Sequence, residues 1–155
     1  MAEITDELRQ EWLENLEKYG SYCLEDVPKG LFADREFMLK AVKQDDWVFQ
    51  YASEELRADK EFMLAAVEQY GDVLWYAPDE LKEDKEVVLA AVKQDGDALQ
   101  FASPELRADK DVVLAAVKKY GYALQYASEE LQNDPELKAL ADSIVDDLPV
   151  DDLPF

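Results

Sequence analysis

The sequence contains no histidine. That absence removes the commonest general base, the usual nucleophile–base–acid triads and most transition-metal sites. A single cysteine, Cys23, leaves no intramolecular disulfide and no Cys-x-x-Cys motif. It stands in the apolar run Tyr22-Cys23-Leu24 and reads as a small core residue. The five glycines never form a phosphate-cradling loop. Bases are scarce, with 16 Lys and Arg against 37 Asp and Glu and a net charge of −21. The acidic excess runs through residues 1–33, 34–133 and 134–155 alike. Such a chain repels phosphate backbones and anionic membrane surfaces, so neither nucleic acid nor membrane is an expected partner. No apolar segment approaches membrane-spanning length. The start, Met1 to Asp6, lacks a basic stretch followed by an apolar one, which argues against a secretory signal and for a cytoplasmic protein.

What is present suits one helical domain. Apolar residues make up 48% of the 155 and aromatic residues 11%, enough for a core, while few glycines and prolines accompany 34% charged residues.

The strongest signal is internal repetition. Asp34, Asp59, Asp84, Asp109 and Asp134 recur at a constant interval and delimit four units, 34–58, 59–83, 84–108 and 109–133. Each reads approximately Asp-basic-acid-apolar-apolar-Leu-x-Ala-Val, then a polar turn, then an aromatic-Ala-Ser/Pro-x-Glu-Leu segment. Leu39, Leu64, Leu89 and Leu114 fill one column, Val42, Val67, Val92 and Val117 another, and Leu56, Leu81, Leu106 and Leu131 a third. The aspartate is an N-cap and the acid two places on suits the positive helix end. Gly71, Gly96 and Gly121 end the first helix as left-handed C-caps, with Asp46 in that place in the first unit. A shorter second helix follows, then a turn opened by Ser53, Pro78, Ser103 or Ser128, proline being tolerated because no amide donor is needed there.

The expected fold is therefore all-α, a right-handed-type α-solenoid of short helical-hairpin repeats that complete one another's cores by stacking. Its domain spans 1–141, with a divergent capping repeat at 1–33 in which Leu8 takes the place of the cap aspartate, and a C-terminal helix at 134–141. Residues 142–155 form an acidic, proline-containing tail, since two prolines break any continuing helix.

The stretch Leu56 to Leu131, with its recurring Val-Leu-Ala-Ala-Val-Lys and Ala-Leu-Gln-Tyr-Ala-Ser elements, resembles the domain of unknown function 4116 family. The resemblance covers about residues 34–134 and, more loosely, 8–33. It implies an α-helical tandem repeat and brings no activity, cofactor or catalytic residue with it.

Carboxylates are numerous enough for a glycosidase-type pair, but most occupy repeated positions already accounted for as caps or solvated faces. The chain is expected not to be an enzyme and to need no cofactor or metal. The tail acids Asp142, Asp146, Asp147, Asp151 and Asp152 lack a calcium-loop pattern. The doubled Asp-Asp-Leu-Pro, with Asp146, Asp147, Asp151 and Asp152, is either a docking motif or a solubilising end.

Copies within one chain can be compared column by column, and the columns that vary are where a partner would be read. One holds Asp45, Tyr70, Asp95 and Tyr120, with Tyr19 continuing the alternation. Another holds Trp47, Asp72, Asp97 and Tyr122, and a third Gln50, Trp75, Gln100 and Gln125. The candidate contact residues are Trp47, Tyr70, Trp75, Tyr120 and Tyr122, either exposed anchors or rings packed on a neighbouring repeat. Two functions fit: a protein-interaction module using this edge, or a small acidic inhibitor or immunity protein covering a basic site on a nuclease or toxin. Both imply a protein partner with a basic surface.

Overall fold

The computed structural model describes residues 4–146, and within them the chain is an all-α repeat protein with no strand. The first helices of successive units are α2 (Arg35–Gln44), α4 (Lys60–Val67), α6 (Lys85–Gln94) and α8 (Lys110–Lys119), flanked by α1 (Asp6–Tyr19) and α10 (Pro135–Asp146). They stack side by side in one layer. A second layer is made by the segments Asp46–Tyr51, Gly71–Tyr76, Gly96–Phe101 and Gly121–Tyr126, also in order. Short helices α3 (Glu54–Ala58), α5 (Asp79–Lys82), α7 (Pro104–Arg107) and α9 (Glu129–Gln132) close the units.

The second-layer segments are 3-10 helices, where the sequence predicts short second helices of ordinary pitch. Their apolar spacing explains this. Val73 and Tyr76, and Leu74 and Ala77, are three apart, and a helix of three residues per turn brings each pair onto one face.

The core runs unbroken between the layers. Phe37, Phe49, Phe62, Met38, Met63, Leu74 and Leu99 are fully buried, and Phe49 stacks on Phe62 at 5.6 Å. Each such side chain contributes roughly 1.5–3 kcal/mol when removed from water. The valine column lies in this core. The column of Leu39, Leu64, Leu89 and Leu114 is half-buried, in the outer grooves between first helices.

Every cap aspartate accepts from its own helix: Asp34 from the Phe37 amide, Asp59 from Phe62, Asp84 from Val87, Asp109 from Val112 and Asp134 from Leu137. The same carboxylate also holds the basic residue of the preceding unit. Arg9 pairs with Asp34, Arg35 with Asp59, Lys60 with Asp84, Lys85 with Asp109 and Lys110 with Asp134, at 2.7 to 3.0 Å. Most of these bases reach a second acid, Lys60 to Glu86 at 2.8 Å and Lys110 to Glu136 at 2.9 Å. The Asp-basic-acid triplet is thus a staple between repeats as well as a cap.

Four expectations are corrected. Gly71, Gly96 and Gly121 are not left-handed caps, because the only positive φ among the described residues is at Gly20. They are small because the next helix approaches them: a Cβ on Gly96 would lie 2.6 Å from the Ala116 carbonyl oxygen and 2.9 Å from the Tyr120 Cβ. Asp46, the one departure from glycine, is followed by the one shortened first helix, α4, whose end tightens as the Gln69 amide bonds the Ala66 carbonyl at 3.0 Å. The divergent repeat is capped by Thr5, which accepts from the Leu8 amide, and not at Leu8. Pro78 is an N-cap rather than a first-turn residue, and an amide at that place is used in the sibling units: Ser53, Ser103 and Ser128 donate to the Phe32, Lys82 and Arg107 carbonyls at 2.8 to 3.0 Å. Finally, α10 runs to Asp146 and does not stop at residue 141. Leu137 and Ala141 are buried and Leu140 and Ile144 half-buried, an apolar stripe that covers the last unit.

Cys23 is half-buried and its thiol donates to the Gly20 carbonyl at 3.3 Å, with burial pushing its pKa upward. Tyr22 beside it is 95% exposed and is no part of the core.

Candidate functional site

The variable columns lie on the second layer and the turns leading into it. Trp47 and Trp75 are each 61% exposed, and Trp75 also packs on a ring of the next unit. Local structure does not require either ring. Where siblings of Trp75 carry glutamine, Gln50 and Gln100 donate to the Trp47 and Asp97 carbonyls and tie down their own turn. Trp75 forgoes that bond. It meets Phe101 edge-on, with ring centroids 5.4 Å apart, and Lys82 Nζ stands 5.7 Å from its centre.

The two tryptophans line one groove of about 270 Å³, together with Asp46, Asp72, Val73, Tyr76 and Phe101. Burial pushes the Asp72 carboxyl above its usual range, and the charges of Asp46 and Asp95 push it further. The Tyr76 hydroxyl is raised by burial and then by Asp72 and Asp46. The groove is therefore aromatic-walled and anionic. Among the described residues no lysine or arginine forms an ion pair with Asp46 or Asp72.

The tyrosine candidates behave differently. Tyr70 is half-buried and its hydroxyl donates to the Lys43 carbonyl at 3.3 Å, reaching back over the preceding unit. The alternation in its column is structural: Asp45 and Asp95 cap the 3-10 segments by accepting from the Trp47 and Asp97 amides, and Tyr70 and Tyr120 do not. Tyr120 and Tyr122 are half-buried and pack on each other at 5.3 Å. Tyr122 borders a separate groove against α10, near Gln125 and Asp142. Burial and then Asp97 raise the Tyr120 hydroxyl, while Asp97 itself is raised by burial and Asp95 and has one buried oxygen without a hydrogen-bond partner. The candidates thus divide between two places on the second layer. Asp147, Asp151 and Asp152 lie outside the described residues, and Asp146 is the last residue of α10.

Sequence comparison missed Asp46, Tyr76 and Phe101 as groove residues. Tyr76 and Phe101 belong to an invariant aromatic column, so internal variation carries no trace of them. The variable position of Asp72 was visible, but its place beside Trp47 and Trp75 was not.

Larger grooves run between first helices, about 660 Å³ beside Leu64, Leu89 and Ala90, and about 470 Å³ beside Leu114 and Ala115. They recur with the repeat and are floored by its constant leucine column. The groove between Trp47 and Trp75 differs from them in lying where tryptophan breaks the repeat. No helix among the described residues is long and apolar enough to cross a membrane.

A family model described as "Domain of unknown function (DUF4116)" matches residues 12–57, 34–82, 59–107 and 109–137. Three of these segments begin at the cap aspartates Asp34, Asp59 and Asp109. No curated protein and no solved structure matches the chain.

Proposed function

The chain belongs to the DUF4116 family, and on that premise we propose that it is a non-catalytic protein-interaction module whose second-layer rim, centred on Trp47 and Trp75, engages a partner with a basic surface. The observation that carries this reading is the exposure of both rings at positions where most sibling units hold aspartate or glutamine and one holds tyrosine. Exposed tryptophan lowers solubility and here forgoes a local hydrogen bond, while at interfaces it is the most enriched anchor. The net charge of −21 supports the basic character of the partner, since it accelerates encounter with opposite charge.

The test is affinity capture from the native cell with the wild-type chain and with Trp47→Ala and Trp75→Ala variants of unchanged helicity. The rim reading expects a specific captured protein to be lost with either variant and retained at moderate salt. A captured protein indifferent to both variants overturns it.

The acidity also supports a second reading, an inhibitor or immunity protein that covers a basic site. That reading expects affinity to collapse between about 50 and about 200 mM salt, the behaviour of charge-dominated binding. Replacing Asp146, Asp147, Asp151 and Asp152 by asparagine would then weaken capture more than either tryptophan change.

A further inference from the structure

We propose that the groove between Trp47 and Trp75 receives one arginine side chain of the partner. This rests on the rim reading above and gives it a chemistry. A volume of about 270 Å³ falls just below the roughly 300 Å³ at which small-molecule clefts begin. One long side chain suits it.

The lining specifies the charge. Trp47, Trp75, Tyr76 and Phe101 line it, and tryptophan is the best protein ring for a cation. Lys82 Nζ stands 5.7 Å from the Trp75 ring centre from outside the groove lining, whereas no cation of the described residues lies over Trp47, so Trp47 offers the open face. Asp46 and Asp72 stand at the same groove with no basic residue of this chain paired to them among the described residues. Asp72 stands exposed at the groove within reach of the charges of Asp46 and Asp95, and a positive group entering there would meet uncompensated carboxylates.

Arginine meets both halves of the lining better than lysine. Its planar guanidinium stacks on an indole while its fork of N–H donors bonds carboxylates, and it is more weakly hydrated than an ammonium group. A trimethylated lysine would satisfy the rings but bring no N–H to Asp46 and Asp72, whose donors within the chain are backbone amides, Trp47 at 3.0 Å for Asp46.

The experiment is a nuclear magnetic resonance titration of the full ¹⁵N-labelled chain, reading the indole N–H signals of its three tryptophans. The probes are the acetylated, amidated tripeptides Gly-Arg-Gly, Gly-citrulline-Gly and Gly-trimethyllysine-Gly, each added to about 50 mM, because one anchored side chain binds only in the millimolar range. The expected result is saturable movement of the Trp47 and Trp75 signals by the arginine peptide, with Trp12 still. Citrulline should have no saturable effect, and the double variant Asp46→Asn, Asp72→Asn with an unchanged amide spectrum should weaken binding about tenfold, as loss of a charge-assisted bond does.

Equal movement by citrulline, tighter binding of trimethyllysine, or arginine shifts that include Trp12 or never saturate would each overturn the assignment. Such a failure remains distinguishable from failure of the interaction module. A partner whose capture needs Trp47 and Trp75, while the arginine peptide leaves both signals unmoved, sinks the arginine site and leaves the module standing.

Discussion

Asp84 accepts hydrogen bonds from the Glu86 and Val87 amides and an ion pair from Lys60 of the preceding unit at 2.7 Å. Burial pushes its carboxyl up, and the Lys60 ammonium and the Val87 amide together outweigh that and hold it below the usual carboxylate range. The two roles can be separated by substitution. Asparagine keeps a capping oxygen and loses the charge, while alanine loses both. We expect Asp84→Ala to cost about 1 kcal/mol more than Asp84→Asn, the usual worth of a cap, as read from urea denaturation midpoints. Equal losses would mean that the ion pair carries the whole effect. This dual role was half legible in the sequence. A cap is a local signal, whereas the pairing of Lys60 with Asp84 joins residues in different units, and no local pattern states which acid a base will meet.

At the scale of elements, what the sequence showed and hid divides along the same line. The first helices were readable because each carries its own cap and apolar stripe within ten residues. The 3-10 segments were misread because six residues are too few to separate a period of three from one of 3.6. The role of Gly71, Gly96 and Gly121 was hidden because the group that demands smallness is a carbonyl of the next unit. The end of α10 was placed too early because its stripe of Leu137, Leu140, Ala141 and Ile144 covers a unit without repeating the motif. The rim tryptophans were found by comparing copies, but their shared groove needed the fold. Pro78 offers the direct test at this level. Among the four unit junctions it alone has no amide for the backbone bond that Ser53, Ser103 and Ser128 make. Pro78→Ser should add that bond and a side-chain cap, each about 1 kcal/mol, against a loss of about 0.4–1 kcal/mol from the freer unfolded chain. The expected net is a gain of about 1 kcal/mol, or about 2–4 °C in thermal midpoint for a chain of this size. A fall in the midpoint would show that the neighbouring units cannot close on residue 78.

For the whole molecule, two sets of aspartates pull stability in opposite directions with pH. Asp34, Asp109 and Asp134 are held low by hydrogen bonds from Arg9, Lys85 and Lys110, and Asp59 by the Phe62 amide. Lowered carboxyls stabilise the fold above their unfolded pKa, and that contribution is lost as pH falls through the folded value. Asp72 and Asp97 are raised by burial and by neighbouring carboxylates. They oppose folding at neutral pH, and protonating them removes the opposition as pH falls toward the unfolded value near 3.9. Acidification also relieves the repulsion of a net charge of −21. The thermal midpoint should therefore rise from pH 7 to a maximum near pH 4–5 and drop below about pH 3.5, where the caps protonate. A midpoint that falls steadily from pH 7 downward would contradict this balance.

Some residues hold the stack together, and others are merely displayed by it. The double variant Trp47→Asp, Trp75→Gln replaces each displayed ring by the residue found in sibling units. Its stability, measured by urea denaturation against the parent chain, tests that separation most directly. We predict a difference within about 1 kcal/mol, the range of surface changes plus a little lost ring contact. A loss of about 3 kcal/mol, the scale of deleting a buried aromatic side chain, would show that the rings belong to the core and that the rim is not a binding surface.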